Sequence, residues 1–256
     1  MLLLIDCGNT NIVFAIAQND RILKKWRINT DPKRTADEYY VWLIKLLEIE
    51  NINLLSISDC IIASVVPDAL FSLLNFNKEY LKIEPFIVGE NNLKIGIDIN
   101  IDNPSEAGAD RIVNAVAVKK FYNKPCIVID FGTATTYDVI NNKQEFIGGA
   151  IAPGIDVSAN YLIKKAALLK NTTFKFPESV IGTNTSTNIQ SGVMFGAINS
   201  IEGMISMIQN ESGSELYIIL TGGFSQLIAS KLSYKYTLKP NLTLDGIKLI
   251  HRDNHE

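Results

Sequence analysis

Two short runs carry the residue types that can hold a phosphate group. Ile129-Asp130-Phe131-Gly132-Thr133-Ala134-Thr135-Thr136-Tyr137-Asp138 extends the apolar stretch from Cys126 and interrupts it with a carboxylate, a glycine and hydroxylated residues. That break reads as a strand handing over to a turn. Glycine allows a positive φ or a close backbone approach, and Thr hydroxyls beside open N–H groups can cradle an anion. The same frame occurs 124 residues earlier, where Ile5-Asp6-Cys7-Gly8-Asn9-Thr10-Asn11-Ile12-Val13-Phe14-Ala15-Ile16 aligns on Ile129 to Ile140 without a gap. A third run, Glu106-Ala107-Gly108-Ala109-Asp110-Arg111-Ile112-Val113-Asn114, puts Asp110 and Arg111 at the start of a helix. The positive dipole end there favours an ionised carboxylate, able to orient an alcohol and accept its proton near pH 7. The planar fork of Arg111 can hold a carboxylate or a phosphoryl group. Each run also has a plain structural reading: turn chemistry for Asp-x-Gly, and a surface charge pair for Asp110-Arg111.

The elements that must position these residues repeat as well. Met1 to Ile16 reads as two strands around the Gly8-Asn9 turn, and Arg21 to Ile28 as a third. Thr35 is the expected N-cap of a helix from Ala36 to about Glu50, with Tyr39, Trp42, Leu43, Leu46 and Leu47 on one face. A buried strand Cys60–Val65, a short helix from Pro67 and a strand Phe86–Val88 follow. The second copy opens after a helix Ala109–Tyr122, with the strand into Asp130, a strand Thr135–Ile140 and a strand Gln144–Gly149. The glycine-containing stretch Gly148 to Gly154 then reads as a loop leading to a helix from Ile155 to about Leu169. A loop from Asn171 to Asn184, a long helix from Thr185 to about Gln209 and a strand Leu216–Leu220 come next. That strand ends in Thr221-Gly222-Gly223, with a helix Phe224–Lys231 behind it.

Composition limits the partners. A chain of 256 residues with 47% hydrophobic content can build a large core. The net charge of −3 argues against a nucleic-acid surface, which needs a clustered basic excess. The N-terminal Leu2-Leu3-Leu4-Ile5 is stopped by Asp6 without a basic leader, and the uncharged run Ser179–Ile201 is too mixed in polarity to span a bilayer. A cytoplasmic protein without membrane attachment is expected. Cys7, Cys60 and Cys126 are too far apart for a disulfide framework or a metal knuckle, and read as buried, inert thiols.

Two βββαβα-type units, each with an Asp-x-Gly turn after its first strand, describe an α/β protein with a duplicated ribonuclease-H-like fold. The expected domains are residues 1–108 and 109–256, with both turns facing a nucleotide cleft. No GxxxxGK[ST] run occurs, so this is not a P-loop protein. The architecture resembles the superfamily of acetate and sugar kinases, heat-shock ATPases and actin. With Asp6-x-Gly8-Asn9-Thr10, the Glu106–Asn114 run, Asp130 to Thr136 and Gly148-Gly149-x-Ile151-x-Pro153-Gly154 in that order, the chain is similar to the type III pantothenate kinase family from Asp6 to about Gly246.

The resemblance implies ATP-dependent phosphorylation of the primary hydroxyl of pantothenate, the first step towards coenzyme A. Asp110 then matches the general base, and Gly108, Ala109, Asp110 and Arg111 the pantothenate-contacting segment. Asp6, Cys7, Gly8, Asn9, Thr10, Asn11, Ile12 and Val13 match the first phosphate hairpin, and Thr133 an ATP contact. Asp130 matches the ligand of an activating monovalent cation, K+ or NH4+. Thr185, in Gly182-Thr183-Asn184-Thr185, matches a substrate-contacting threonine, although an N-cap role fits it equally. Mg2+ is expected to be held mainly by ATP phosphates and water. The chain departs from the family at Ile101, where many members carry a pocket-lining Tyr before Asp102-Asn103-Pro104. The resemblance also implies a homodimer. Val193, Met194, Ala197, Ile198 and Ile201 of the long helix can cover a partner helix, or equally pack within their own chain. Two other functions fit the same frame: phosphoryl transfer to another small molecule, and a non-enzymatic accessory role in transcription.

Overall fold

The computed structural model describes residues 1–90, 93–165 and 175–255. It divides into two units: Met1–Tyr122 with the segment from Leu242 onward, and Asn123–Asn241.

In the first unit, β1 (Leu2–Cys7), β2 (Asn11–Gln18) and β3 (Arg21–Asn29) form an antiparallel meander. α1 (Ala36–Ile49) leads to β4 (Asp59–Ser64), which joins β1 in parallel, and α2 (Pro67–Phe76) leads to β5 (Phe86–Ile87) beside β4. The sheet order is therefore β3-β2-β1-β4-β5. A short strand β6 (Asp98–Ile99) and α3 (Ala109–Tyr122) complete the run. Strands β1 and β4 are near-continuous apolar runs because the central strands of a layered sheet are covered on both faces. One face of the sheet packs Phe14, Ile16 and Ile62 against Tyr39, Leu43 and Leu47 of α1 and Leu73 and Phe76 of α2. α1 starts as expected, with a reciprocal box: Glu38 N–H donates to Thr35 Oγ1 at 3.3 Å and Thr35 N–H to Glu38 Oε2 at 2.8 Å.

The second unit repeats this order. β7 (Cys126–Phe131), β8 (Ala134–Ile140) and β9 (Glu145–Pro153) make the meander, followed by α4 (Ile155–Lys165) and α5 (Thr185–Ser212). β10 (Tyr217–Gly222) is parallel to β7; α6 (Ser225–Ala229) leads to β11 (Tyr236–Leu238), parallel to β10. These strands lie in the order β11-β10-β7-β8-β9, the same topology as the first unit. The chain ends in α7 (Leu242–His255), which belongs to the first unit.

Several boundaries differ from the sequence expectation. The division falls after Tyr122 rather than at 108/109, because α3 packs against α7 within the first unit. Gly246 of α7 allows this: a Cβ there would lie 1.9 Å from the Val113 carbonyl oxygen. β9 runs on to Pro153, so the stretch expected as a loop is strand, bent where Gly148 and Gly149 take φ of 102° and 155°. The expected end of the fourth helix at Leu169 and the start of the following loop lie outside the described residues. α5 reaches Ser212 and closes on Gly213 at φ 65°. By length and composition alone α5 qualifies as a membrane span, with 28% of its apolar window buried. In this fold its Met194, Ile198, Ile201 and Ile205 are buried against β7 and β10.

Candidate active site

The first hairpin presents Asp6 on β1 opposite Val13, and Cys7 pairs with Ile12. Gly8 N–H donates to the Asn11 carbonyl at 3.1 Å, which closes the turn and leaves Asn9 and Thr10 exposed. A residue the sequence reading passed over, Thr30, fixes this turn from the end of β3. Its hydroxyl donates to the Gly8 carbonyl at 2.6 Å and its N–H to the Thr10 carbonyl at 2.9 Å. No local signal marks Thr30, because the bond spans 22 residues. Behind the turn, Cys7 is free and buried, and burial pushes its thiol up to about 11.

Asp110 lies in the first turn of α3. Its Oδ1 accepts the Arg111 N–H at 2.8 Å, while Arg111 and Ile112 N–H both reach the Gly108 carbonyl at 3.0 Å. The carboxylate is therefore aimed by the backbone of its own helix start. Burial raises the Asp110 pKa from its ordinary value, and the Arg111 N–H and guanidinium offset part of that rise. The helix-start argument alone missed this desolvation. A Cβ on Gly108 would sit 2.6 Å from Asp110 Oδ1, so a larger residue there would displace that carboxylate. Ile101 is half-buried, just before a loop held by Asn103 Nδ2 donating to Glu106 Oε1 at 2.9 Å.

The second hairpin presents Asp130 on β7 opposite Thr136. Its turn is tighter: Phe131 pairs with Thr135, and Gly132 N–H donates to the Ala134 carbonyl at 3.0 Å. The gap-free alignment of the two copies thus fails at the turn. Phe14 opposite Ile5 corresponds to Tyr137 opposite Ile129, one residue out of the sequence frame. Neither Gly8 nor Gly132 takes a positive φ, so what these turns use is an open backbone. Gly222, at φ 87°, packs directly on Asp130, since a Cβ there would lie 2.4 Å from its Oδ1. Gly154 N–H donates to the Thr133 carbonyl at 3.1 Å, and a Cβ on Gly154 would meet that oxygen at 2.3 Å. Thr133 itself is exposed at the tip.

Thr185 is the first residue of α5 and is exposed, but it is not the cap. Asn184 takes that role, its Oδ1 accepting the Thr187 N–H at 3.0 Å. The expected N-cap reading of Thr185 is thereby replaced.

Two units of one topology, each with a carboxylate at the end of its first strand and a glycine-bearing turn after it, define a duplicated ribonuclease-H-like fold of the sugar-kinase and actin type. The comparisons narrow this class. The family model for type III pantothenate kinases matches residues 2–207. A type III pantothenate kinase of Paramagnetospirillum magneticum is 47% identical over 254 residues, 99% of this chain and 98% of the relative. One from Gluconobacter oxydans is 44% identical over 250 residues, covering 98% of this chain and 92% of the relative. The chain belongs to the type III pantothenate kinase family. Among solved structures, a candidate Baf family transcriptional activator from Campylobacter jejuni superposes with a TM-score of 0.61 at 21% identity, covering 99% of this chain and 98% of that one. That likeness bears on the fold alone.

Proposed function

We propose that this chain transfers the γ-phosphoryl group of ATP to the primary hydroxyl of pantothenate, giving 4'-phosphopantothenate and ADP in the first step of coenzyme A biosynthesis. The observation that carries the reading is Asp110, half-buried, with one carboxylate oxygen fixed by the Arg111 N–H at 2.8 Å, inside a family-matched chain. The pantothenate hydroxyl oxygen attacks the γ-phosphorus, the bond to the β,γ-bridging oxygen breaks, and the hydroxyl proton passes to Asp110. A loose transition state asks little early deprotonation, so a carboxylate suffices. Gly108, Ala109 and Arg111 hold pantothenate beside it, with Thr185 as a further contact. Asp6 to Val13 and Thr133 take the phosphates.

Asp130 takes the monovalent cation, K+ or NH4+. Its carboxylate supplies the charged oxygen such an ion takes, and Oδ1 is fixed in place by the Gly222 backbone, which packs on it too closely for a Cβ. That ion supplies positive charge near the phosphates, and Mg2+ enters with ATP. The protein acts in the cytoplasm as a homodimer. Met194, Ile198 and Ile201 pack within their own unit, so the helix-pairing hint from sequence narrows; the exposed Ile151 on β9 and Tyr161 and Leu162 on α4 support a partner surface instead.

The test is ATP turnover with pantothenate, Mg2+ and K+, with the product identified by mass. Asp110→Asn is expected to stay folded and to lose roughly 100- to 10,000-fold in turnover. A near-normal rate would remove Asp110 from the base role. Replacing K+ by Na+ is expected to depress the rate, and indifference would remove Asp130 from the cation role.

A further inference from the structure

Away from the kinase residues, the first unit brings together the chain's only two histidines and one aspartate. His251 and His255 are four residues apart on α7, so both imidazoles project from one helix face. The Nε2 of His251 lies 2.7 Å from Asp59 Oδ2 and that of His255 lies 2.8 Å from the same oxygen. All three ligating atoms fall within 4.8 Å of one another.

The surroundings hold this arrangement. Asp59 opens β4, and its Oδ1 accepts the Cys60 N–H at 2.9 Å, which turns Oδ2 towards the imidazoles. Phe86 of the neighbouring strand packs edge-on against both rings, at 5.3 Å for His251 and 6.0 Å for His255. A cavity of about 280 Å³ adjoins the two histidines and is also lined by Asp20, Lys248 and Arg252. The two cations there are already engaged. Lys248 Nζ lies 3.9 Å from Asp245 and donates to the Asp20 carbonyl, while Arg252 lies 3.1 Å from Asp253 and 3.9 Å from Asp20.

We propose that Asp59, His251 and His255 form a binding site for a divalent transition ion of borderline softness, for which Zn2+ is the probe. Two imidazole nitrogens and one carboxylate oxygen are the donor types such an ion takes, and they leave a fourth position for water or an anion. Zinc bonds of about 2.0–2.2 Å require ligand atoms roughly 3.3 Å apart, so each imidazole nitrogen, now 2.7 or 2.8 Å from Oδ2, must draw back from it by about half an ångström. His255, exposed in the last turn of α7, can supply that movement. The site is remote from the phosphate hairpin. Asp59 pairs with Leu2, four residues along β1 from Asp6, or about 13 Å. An ion here ties α7 to the parallel β1–β4 pair.

The experiment uses the full chain without an affinity tag, stripped with a chelator and titrated with Zn2+ by calorimetry. Histidine ring resonances are followed in parallel. One ion per chain is expected, with micromolar or tighter affinity, joint shifts of both ring signals, and a melting temperature that rises with Zn2+. Mg2+ should not compete. His255→Ala, at an exposed position, should fold normally and weaken binding roughly tenfold or more, whereas Asp110→Asn should bind Zn2+ as the parent does. Absence of saturable uptake at micromolar Zn2+, or equal uptake by His255→Ala, would overturn the site and leave an aspartate with two imidazole hydrogen bonds.

Discussion

The two carboxylate hairpins share a topology and differ in what holds them. The first spaces Cys7 and Ile12 with Gly8 to Asn11, and a side chain, Thr30, reaches in to bond the Gly8 carbonyl. The second spaces Phe131 and Thr135 with only Gly132 to Ala134, and bare backbone presses on it from Gly154 and Gly222. A wider turn leaves a carbonyl that a hydroxyl can satisfy; a tighter one leaves room only for glycine. The copies have therefore diverged in support while keeping the strand-end aspartate, and each fails to a different kind of substitution.

The largest test of that contrast is to insert one glycine between Gly132 and Thr133, giving the second turn the length of the first. Shifting Thr133 by an ångström or more should lower ATP-dependent turnover roughly 100-fold, as small misplacements at phosphoryl-transfer sites do. Steady-state kinetics reads this directly, and an unchanged rate would mean that the two turns are interchangeable. Next in size, Gly222→Ala adds a Cβ at φ 87° and 2.4 Å from Asp130 Oδ1. Denaturant unfolding should show a loss of about 2 kcal/mol from strain and overpacking, with a higher K+ requirement in the assay. Thr30→Val should cost less, about 1 kcal/mol for one hydrogen bond, and raise the KM for ATP more than it lowers kcat. Equal losses for Thr30→Val and Gly222→Ala would erase the distinction between hydroxyl and backbone support.

The smallest effect concerns neither hairpin and serves as a baseline. Burial raises the Asp110 pKa in the folded state above its ordinary value of 3.8. The folded protein then holds this proton more tightly, so stability falls as pH rises through the raised value. The cost is absent below pH 3.8 and complete above the folded pKa. Asp110→Asn keeps an acceptor for the Arg111 N–H and should melt slightly above the parent at pH 7, with the gap closing towards pH 4. A variant less stable at pH 7 would mean that the offset by Arg111 outweighs desolvation.

Much of this was legible because it is local. The strand-to-turn signature around Asp6 and Asp130 is a few residues long, and the Thr35 cap with Glu38 is one helical turn. The thiols of Cys7, Cys60 and Cys126 sit inside apolar runs that announce their burial, and all three are free and buried. What was not legible depends on contacts between distant residues. Thr30 on Gly8, Gly246 on Val113 and Asp59 with His251 each join segments that share no sequence period. The one-residue offset between the hairpins escaped because Thr135 occupies the inward position that the gap-free frame assigns to Thr136. Both are threonine, so the residue types conceal the slip.

By itself the sequence determined the repeated βββαβα order, the strand-end carboxylates, the helix start at Asp110 and the family to which these motifs belong. Hydrophobic period, glycine placement and capping chemistry are written over a few neighbouring residues, and the chain can express them only in one way. Tertiary structure decided which unit claims α3 and α7, how each turn is braced, how far Asp110 is desolvated, and that Asp59 meets both histidines. Those outcomes depend on close approach between segments far apart in the chain, where the presence or absence of a single Cβ decides whether the approach is possible.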